Sequence, residues 1–347
     1  MDQQQNLGAV LVVLAGLCMG SSGWPIKLLR TFTYEQFGFA SSLFWMVIIW
    51  SITLAFCPHA IEAYRSVDPS VLLRSNLFSM LWGVANILFL ICMARIGFSL
   101  TGGILTGLGV SVGVIIPLIF KGSGLFHGAP DLGSPAGRAV LTGVTVMLFG
   151  VGLVSKAGYE RHRASSGPAT ANEPQTGFGL GLFMAALAGI LSAGISFSFV
   201  YSQGPIVEAM KARGAAGFAA NIAVWAIGLA AGFLINILYP AWLMTVHKTW
   251  RVFWRSPGEI LLSCIIAAGM SAAIILLGQG MIWLGVLGAS IGFGVQQAMQ
   301  MLGGQSVGFI SGEWRGVPRG PVLTMIAAIG LLILAAAIMA YGNSLAH

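Results

Sequence analysis

Ten times along the chain the residues stay apolar for about the length of a bilayer crossing, with short polar connections between. The segments lie near 7–29, 38–57, 75–94, 98–120, 139–156, 177–200, 215–244, 258–278, 281–310 and 321–341. About 20 apolar residues in a helix cover a hydrocarbon core of roughly 30 Å. Inside lipid only helices and closed barrels satisfy every backbone group. Runs such as Gly8 to Cys18 and Leu331 to Ala340 lack the alternation of a barrel strand, so the pattern predicts helices. The two longest segments, 215–244 and 281–310, leave room for a bend or a re-entrant piece.

The most polar interval, 157–176, holds Pro168 and Pro174 and separates five spans from five. It reads as a linker between halves 1–156 and 177–347. The halves repeat faintly. Leu14-Ala15-Gly16-Leu17 aligns with Leu187-Ala188-Gly189-Ile190, and at the same offset Glu35 falls on Glu208. Val140-Leu141-Thr142 aligns with Val322-Leu323-Thr324, and Gly103–Gly107 with Gly288–Gly292. An odd number of spans per half turns the second half upside down. The expected fold is therefore an all-α polytopic membrane protein of ten transmembrane helices in two inverted five-helix repeats, a plan typical of secondary transporters.

Composition adds how such helices would meet. The chain is 57% hydrophobic and 8% charged, against about 25% charged in soluble domains. Glycine supplies 48 of its 347 residues, and pairs four apart recur, as at Gly16/Gly20 and Gly304/Gly308. Small residues let helix backbones approach closely where apolar burial cannot drive association.

A net charge of +7 would suit nucleic acid, but its placement points to membrane orientation instead. The termini and even-numbered connections hold six basic residues: Arg65, Arg74, Lys121, Arg138, Lys211 and Arg213. The odd-numbered connections hold eleven: Lys27, Arg30, Arg95, Lys156, Arg161, Arg163, Lys248, Arg251, Arg255, Arg315 and Arg319. The richer set belongs in the cytoplasm, which puts the linker inside and both termini outside. The first span has only Asp2 before it and reads as a retained helix rather than a signal peptide. Cys18, Cys57, Cys92 and Cys264 form no CxxC pair, so neither metal nor disulfide framework is indicated. Residues 245–257 put Lys248, Arg251 and Arg255 on one helical face and Trp250, Phe253 and Trp254 on the other. That layout suits an aromatic belt with an orientation signal, or a helix lying on anionic lipid.

The same segments resemble a family. Trp24-Pro25-Ile26-Lys27 followed by Tyr34-Glu35 is similar to the first helix and loop of the L-rhamnose–proton symporter family, in the drug/metabolite transporter superfamily. Leu81-Trp82-Gly83-Val84-Ala85-Asn86, Arg138 with Gly150-Val151-Gly152, Ser192-Ala193-Gly194, and Glu313-Trp314 with Arg319-Gly320-Pro321 extend the resemblance over most of the chain. It implies a carrier that takes up a sugar with protons and needs no cofactor. The family carries Tyr, His and Asp through spans eight and nine. Here Gly278 to Gln300 is mostly small residues with Gln279, Gln296, Gln297 and Gln300, which leaves the particular sugar open.

A sugar carrier needs neutral donors and acceptors plus an aromatic surface. Trp82 and Asn86 are four apart and share a helical face, as do Gln296 and Gln300, with Gln297 one step round. Amides both donate and accept. These residues and Gln279 are the candidate substrate contacts, with spans three, four, eight and nine around the cavity. The alternative for Gln296 and Gln300 is interhelical hydrogen bonding, the favoured role for Asn221 and Asn236. For proton coupling, the carboxylates nearest the spans are Glu35, Glu208, Glu259 and Glu313. Glu35 and Glu208, at equivalent repeat positions, are candidate coupling or gating groups at opposite mouths, with Lys27 or Arg30 beside Glu35; the plainer alternative is a pair of solvated loop carboxylates. An exporter of the same superfamily is the alternative function. A membrane-embedded enzyme would need paired carboxylates or a histidine cluster, and the five histidines are dispersed.

Overall fold

The computed structural model describes residues 3–96, 98–119, 133–165, 178–284, 292–312 and 314–345. Among them every regular element is helical. The order is α1 Gln3–Ser21, a 3-10 turn Trp24–Leu28, α2 Tyr34–Phe56, α3 Ala60–Ser66, α4 Pro69–Ile96, α5 Phe98–Ile119, α6 Pro135–Ser165 and α7 Phe178–Ser192. There follow α8 Gly194–Lys211, α9 Gly217–Gly228, α10 Ala230–Val246, α11 Trp250–Arg255, α12 Pro257–Trp283, α13 Phe293–Ile310 and α14 Arg319–Ser344.

Helix occupies each of the ten apolar segments, but among the described residues seven helices are long and apolar enough to cross a membrane, or eight if α9 and α10 form one bent span. Helix α13 falls short for a visible reason: Gln296, Gln297, Gln300 and Gln305 crowd its 18 residues. Several expected boundaries move. Helix α2 starts at Tyr34 rather than 38, because the Thr33 amide donates to Gln36 Oε1 (2.9 Å) and closes the first turn. Glu35 therefore sits in a helix, not in a loop. Helix α6 continues past 156 to Ser165, since nothing in Ala157 to Ser165 breaks a helix before Gly167-Pro168; residues 166–177 of the linker lie outside the described residues. The sixth segment is interrupted at Ala193 and runs on to Lys211, which puts Glu208 in the last turn of α8. Helix α12 extends to Trp283 and takes in Gln279. The basic-aromatic stretch is not one helix: Lys248 has φ 56° and stands before α11, Phe253 is buried on Phe32 and Phe39, and Trp254 faces outward.

Packing follows the small residues. Helix α1 lies along α12 and α13. A Cβ on Gly8 would meet the backbone of Gly280 and Leu284, and one on Gly16 would stand 2.4 Å from the Gln296 carbonyl oxygen. Helices α7 and α8 lie in the same way along α4 and α5. A Cβ on Gly189 would meet Ile104, Leu105 and Leu108, and one on Gly194 would meet Phe78 and Trp82. Helix α2 packs on α12 as α10 packs on α4, and α6 pairs with α14 along their length.

Side-chain contacts between loops sort into two sets. Lys27 donates to Ser311, and Glu259 accepts from the loop at Arg30 to Phe32. Glu35 meets His247, Arg161 lies 5.0 Å over the Trp314 ring, and the Cys92 thiol donates to the Gly181 carbonyl. These contacts gather the odd-numbered connections at one end. At the other end α3 packs on α8 and α9, where Tyr64 Oη donates to the Ala223 carbonyl (2.7 Å). Burial pushes the Tyr64 phenol above its ordinary value.

Candidate functional site

The seventh apolar segment bends by 46° between α9 and α10, at Leu229. A break inside lipid frees backbone groups that neighbouring helices must satisfy. Here α4 and α8 do so. The Ala231 amide donates to Asn76 Oδ1 (3.0 Å) and the Gly232 amide to Ser79 Oγ (3.0 Å). Ser198 Oγ donates to the Gly228 carbonyl (2.6 Å), and Ser75 Oγ lies 2.9 Å from Ser198 Oγ. Ser75, Ser79 and Ser198 are fully buried. Gly83 makes the approach possible: its Cβ would lie 2.9 Å from Gly232 Cα.

Aromatic groups flank the break. Four residues before Leu229, Trp225 stacks on Phe199 with centroids 4.4 Å apart. Four residues after it, Phe233 meets Trp45 at 5.2 Å and Trp82 at 5.8 Å, both edge to face. One turn from Trp225 on α9, the Asn221 amide donates to Gln279 Oε1 of α12 (3.3 Å). Among the described residues, four buried side-chain atoms have no partner: Asn221 Oδ1, Trp225 Nε1, Trp45 Nε1 and Trp314 Nε1. Three of them belong to the helices around this break.

The structure distributes the predicted contacts unevenly. Trp82 is buried beside the break and Asn86 is half-buried one turn along α4. Gln279 joins Asn221, so Asn221 belongs to the polar centre. Asn236 turns back on its own helix, donating to the Gly232 carbonyl. Gln296 Nε2 donates to Gln300 Oε1 (2.9 Å) as a separate amide pair on α13, with Gln297 buried beside it. An apolar groove of about 370 Å³, lined by Trp50, Ile61, Tyr64, Arg65, Leu72 and Ile227 among others, opens at the α3 end.

The predicted carboxylates part company. Glu35 is 7% exposed and accepts from Thr249 Oγ1 (2.6 Å) and Gln36 Nε2 (3.1 Å), with His247 Nδ1 at 2.8 Å. Its two partners from outside α2 are thus on the α10–α11 loop. The expected neighbours go elsewhere: Lys27 bonds Ser311, and the Arg30 amide bonds Glu259. Glu208 is exposed on α8. Glu259 receives the amides of Arg30, Thr31 and Phe32 at 2.9, 2.8 and 2.6 Å, plus Thr31 Oγ1. Glu313 lies outside the described residues. Sequence reasoning missed His247, Thr249 and Trp225. The first two are ordinary loop residues until folding sets them on Glu35. Trp225 carried one usable signal, its spacing of four from Asn221.

A helical membrane protein with an interrupted span, buried amides at the interruption and ion pairs and carboxylate–amide contacts at one end has the construction of a secondary carrier. The family follows from the sequence as a whole. The profile of the L-rhamnose-proton symport protein (RhaT) family matches residues 5–345, and the chain belongs to that family. An L-rhamnose-proton symporter of Citrobacter koseri is 27% identical over 334 residues, 92% of each chain. One from Yersinia pestis bv. Antiqua is 26% identical over 331 residues, again 92% of each. A third, from Yersinia pestis strain Pestoides F, is 30% identical over 216 residues, covering 62% of this chain and 60% of that one. The chain is therefore a transporter-family protein rather than an enzyme.

Proposed function

We propose that the protein takes up a sugar, L-rhamnose or a related monosaccharide, together with protons across a bacterial inner membrane. The observation that carries this reading is a buried, neutral, hydrogen-bonding centre at a broken helix, in a chain of the L-rhamnose-proton symport family. Neutral amides and an indole suit a hydroxyl-bearing solute better than an ion, which would have to lose its hydration without a countercharge.

Ten crossings in two inverted repeats, 1–156 and 177–347, complete the reading. Exchange of the first five helices with the second five maps α1 on α12 and α13 onto α7 and α8 on α4 and α5, and leaves α6 with α14. Gly16 and Gly189, aligned in sequence, both face close neighbours across these seams. Loops of one parity meeting at one end is what alternating crossings require, and that end carries the eleven basic residues. The basic end is cytoplasmic in this reading and both termini are outside.

Trp82, Asn86 and Gln279 line the substrate route near the break, and Gln296, Gln297 and Gln300 line it from α13. Glu35 is the coupling and gating group of the inner end, acting through His247 and Thr249, with Lys27 closing the same end onto Ser311; Glu208 stands at the outer mouth. Whole cells expressing the chain would be given labelled L-rhamnose in competition with other sugars while external pH is recorded. Uptake with transient alkalinisation is the expected result. Absence of both uptake and pH response for every sugar would overturn the reading.

A further inference from the structure

We infer that Asn221 and Trp225 contact the transported solute directly, and that the group they hold is a hydroxyl. This rests on the sugar-uptake reading above and assigns residues and chemistry to it. Both side chains project from α9, four residues apart and hence on one face. Asn221 is 3% exposed and Trp225 2%. The Asn221 NH2 group is engaged by Gln279 at 3.3 Å, which leaves Oδ1 as its open atom. The open atom of Trp225 is its indole N–H.

These two vacancies are of opposite kind. An amide oxygen only accepts and an indole N–H only donates. A carboxylate or phosphate would answer the indole and leave the amide oxygen bare; an ammonium group would do the reverse. A hydroxyl both donates and accepts, so a single hydroxyl answers either and a pair of adjacent hydroxyls answers both. Charge is also unwelcome, since Gln279, Phe199 and Gly278, which lie against the two groups, carry no ionisable side chain.

Gly278 lets α12 approach the indole edge without covering its N–H with a side chain. A Cβ built there would stand 2.6 Å from Trp225 Nε1 and 3.3 Å from the Phe199 ring. Any side chain at 278 would occupy the space in front of the donor. Phe199, stacked on the indole at 4.4 Å, holds the ring in the plane that presents its N–H to α12. The binding face is thus Asn221 and Trp225 of α9, Phe199 of α8, and Gly278–Gln279 of α12.

The test uses the full chain in cells, with initial uptake rates for the transported sugar and for analogues lacking one hydroxyl at a time. Trp225→Phe keeps the ring and removes the donor; Asn221→Ala removes the acceptor. Each should raise KM by about 3- to 10-fold, the worth of one neutral hydrogen bond. Both variants should also lose discrimination against analogues lacking the contacted hydroxyl or its neighbour, a change that a packing role would not produce. Where Trp225→Phe does not reach the membrane, Asn221→Ala decides by the same readout. Wild-type KM and wild-type analogue ranking in the variants would mean ordered water only, overturning this inference while sugar uptake stands. A wild-type chain that takes up no sugar overturns both.

Discussion

Gly20→Ala tests the physical basis of the bundle with a single methyl group. The new Cβ would lie 2.0 Å from the Gln300 carbonyl oxygen, 2.8 Å from the Gly304 nitrogen and 2.9 Å from the Gln300 carbonyl carbon. All three are backbone atoms, so no rotamer change relieves the clash. Non-bonded contacts are comfortable near 3.5 Å, so α1 and α13 must part locally by roughly 1.5 Å. A gap of that size forfeits much of the dispersion along the seam, and overpacking of this kind costs about 1–3 kcal/mol. Gly330→Ala on α14 is the control, because nothing lies within 4 Å of its Cβ. Relief of glycine's helix penalty should there stabilise by about 0.5–1 kcal/mol. The same substitution thus has opposite signs at two glycines of one chain. Purified protein would be heated in steps and the monodisperse fraction read by size-exclusion chromatography. The expected order of midpoints is Gly330→Ala, wild type, Gly20→Ala. A Gly20→Ala midpoint at or above that of Gly330→Ala would refute the close-approach account of the α1–α13 seam.

Glu35→Gln keeps a carbonyl oxygen for Thr249 and Gln36 but removes the charge beside His247. Sugar counterflow should persist while uptake loses its response to an inward proton gradient; a wild-type gradient response would remove Glu35 from coupling. Glu259→Ala strips the acceptor from three loop amides. Hydrogen exchange at Arg30, Thr31 and Phe32 should quicken by about tenfold, the exposed setting discounting a charge-assisted bond, and unchanged exchange would deny that this carboxylate holds the loop. Tyr64→Phe removes the bond to the Ala223 carbonyl and should cost about 1 kcal/mol. Because burial raises the phenol, that contribution is fully present below the ordinary tyrosine value near 10 and is lost only as pH rises through the higher folded value. The wild-type-to-variant difference in melting should therefore hold constant from pH 6 to about pH 9; a difference that shrinks across that window would contradict the assignment.

Where helices lie was legible because lipid leaves the backbone few choices, and length with hydropathy reports directly on that. Helix ends were less legible. The start of α2 depends on Thr33 and Gln36, a cap that carries no hydropathy signal, and α6 outruns its apolar part because polar residues propagate a helix as readily as apolar ones. The break at Leu229 was foreshadowed only by excess length; its location is set by Asn76, Ser79 and Ser198 on other helices. Site residues were half legible. Amide content singled out Gln279 and gave Asn221 an interhelical bond, which the two make with each other; that Asn221 Oδ1 and the Trp225 indole N–H stay unpaired has no sequence signature. A contact across hundreds of residues, as between Glu35 and His247, has no local signature at all.

The seam between α1 and α13 also bears on how the protein is made. Gly16 and Gly20 are synthesised well before the helix they fit, which carries Gln300 and Gly304. At 5–20 residues per second that interval is roughly 15–60 s. Throughout it the first helix must wait in lipid with its narrow glycine face uncovered. The caps of the α9–α10 break, by contrast, come from α4 and α8, which are already in place when the broken segment emerges. The chain is ordered so that its broken crossing finds its capping partners at once, while its first helix is left to wait for closure.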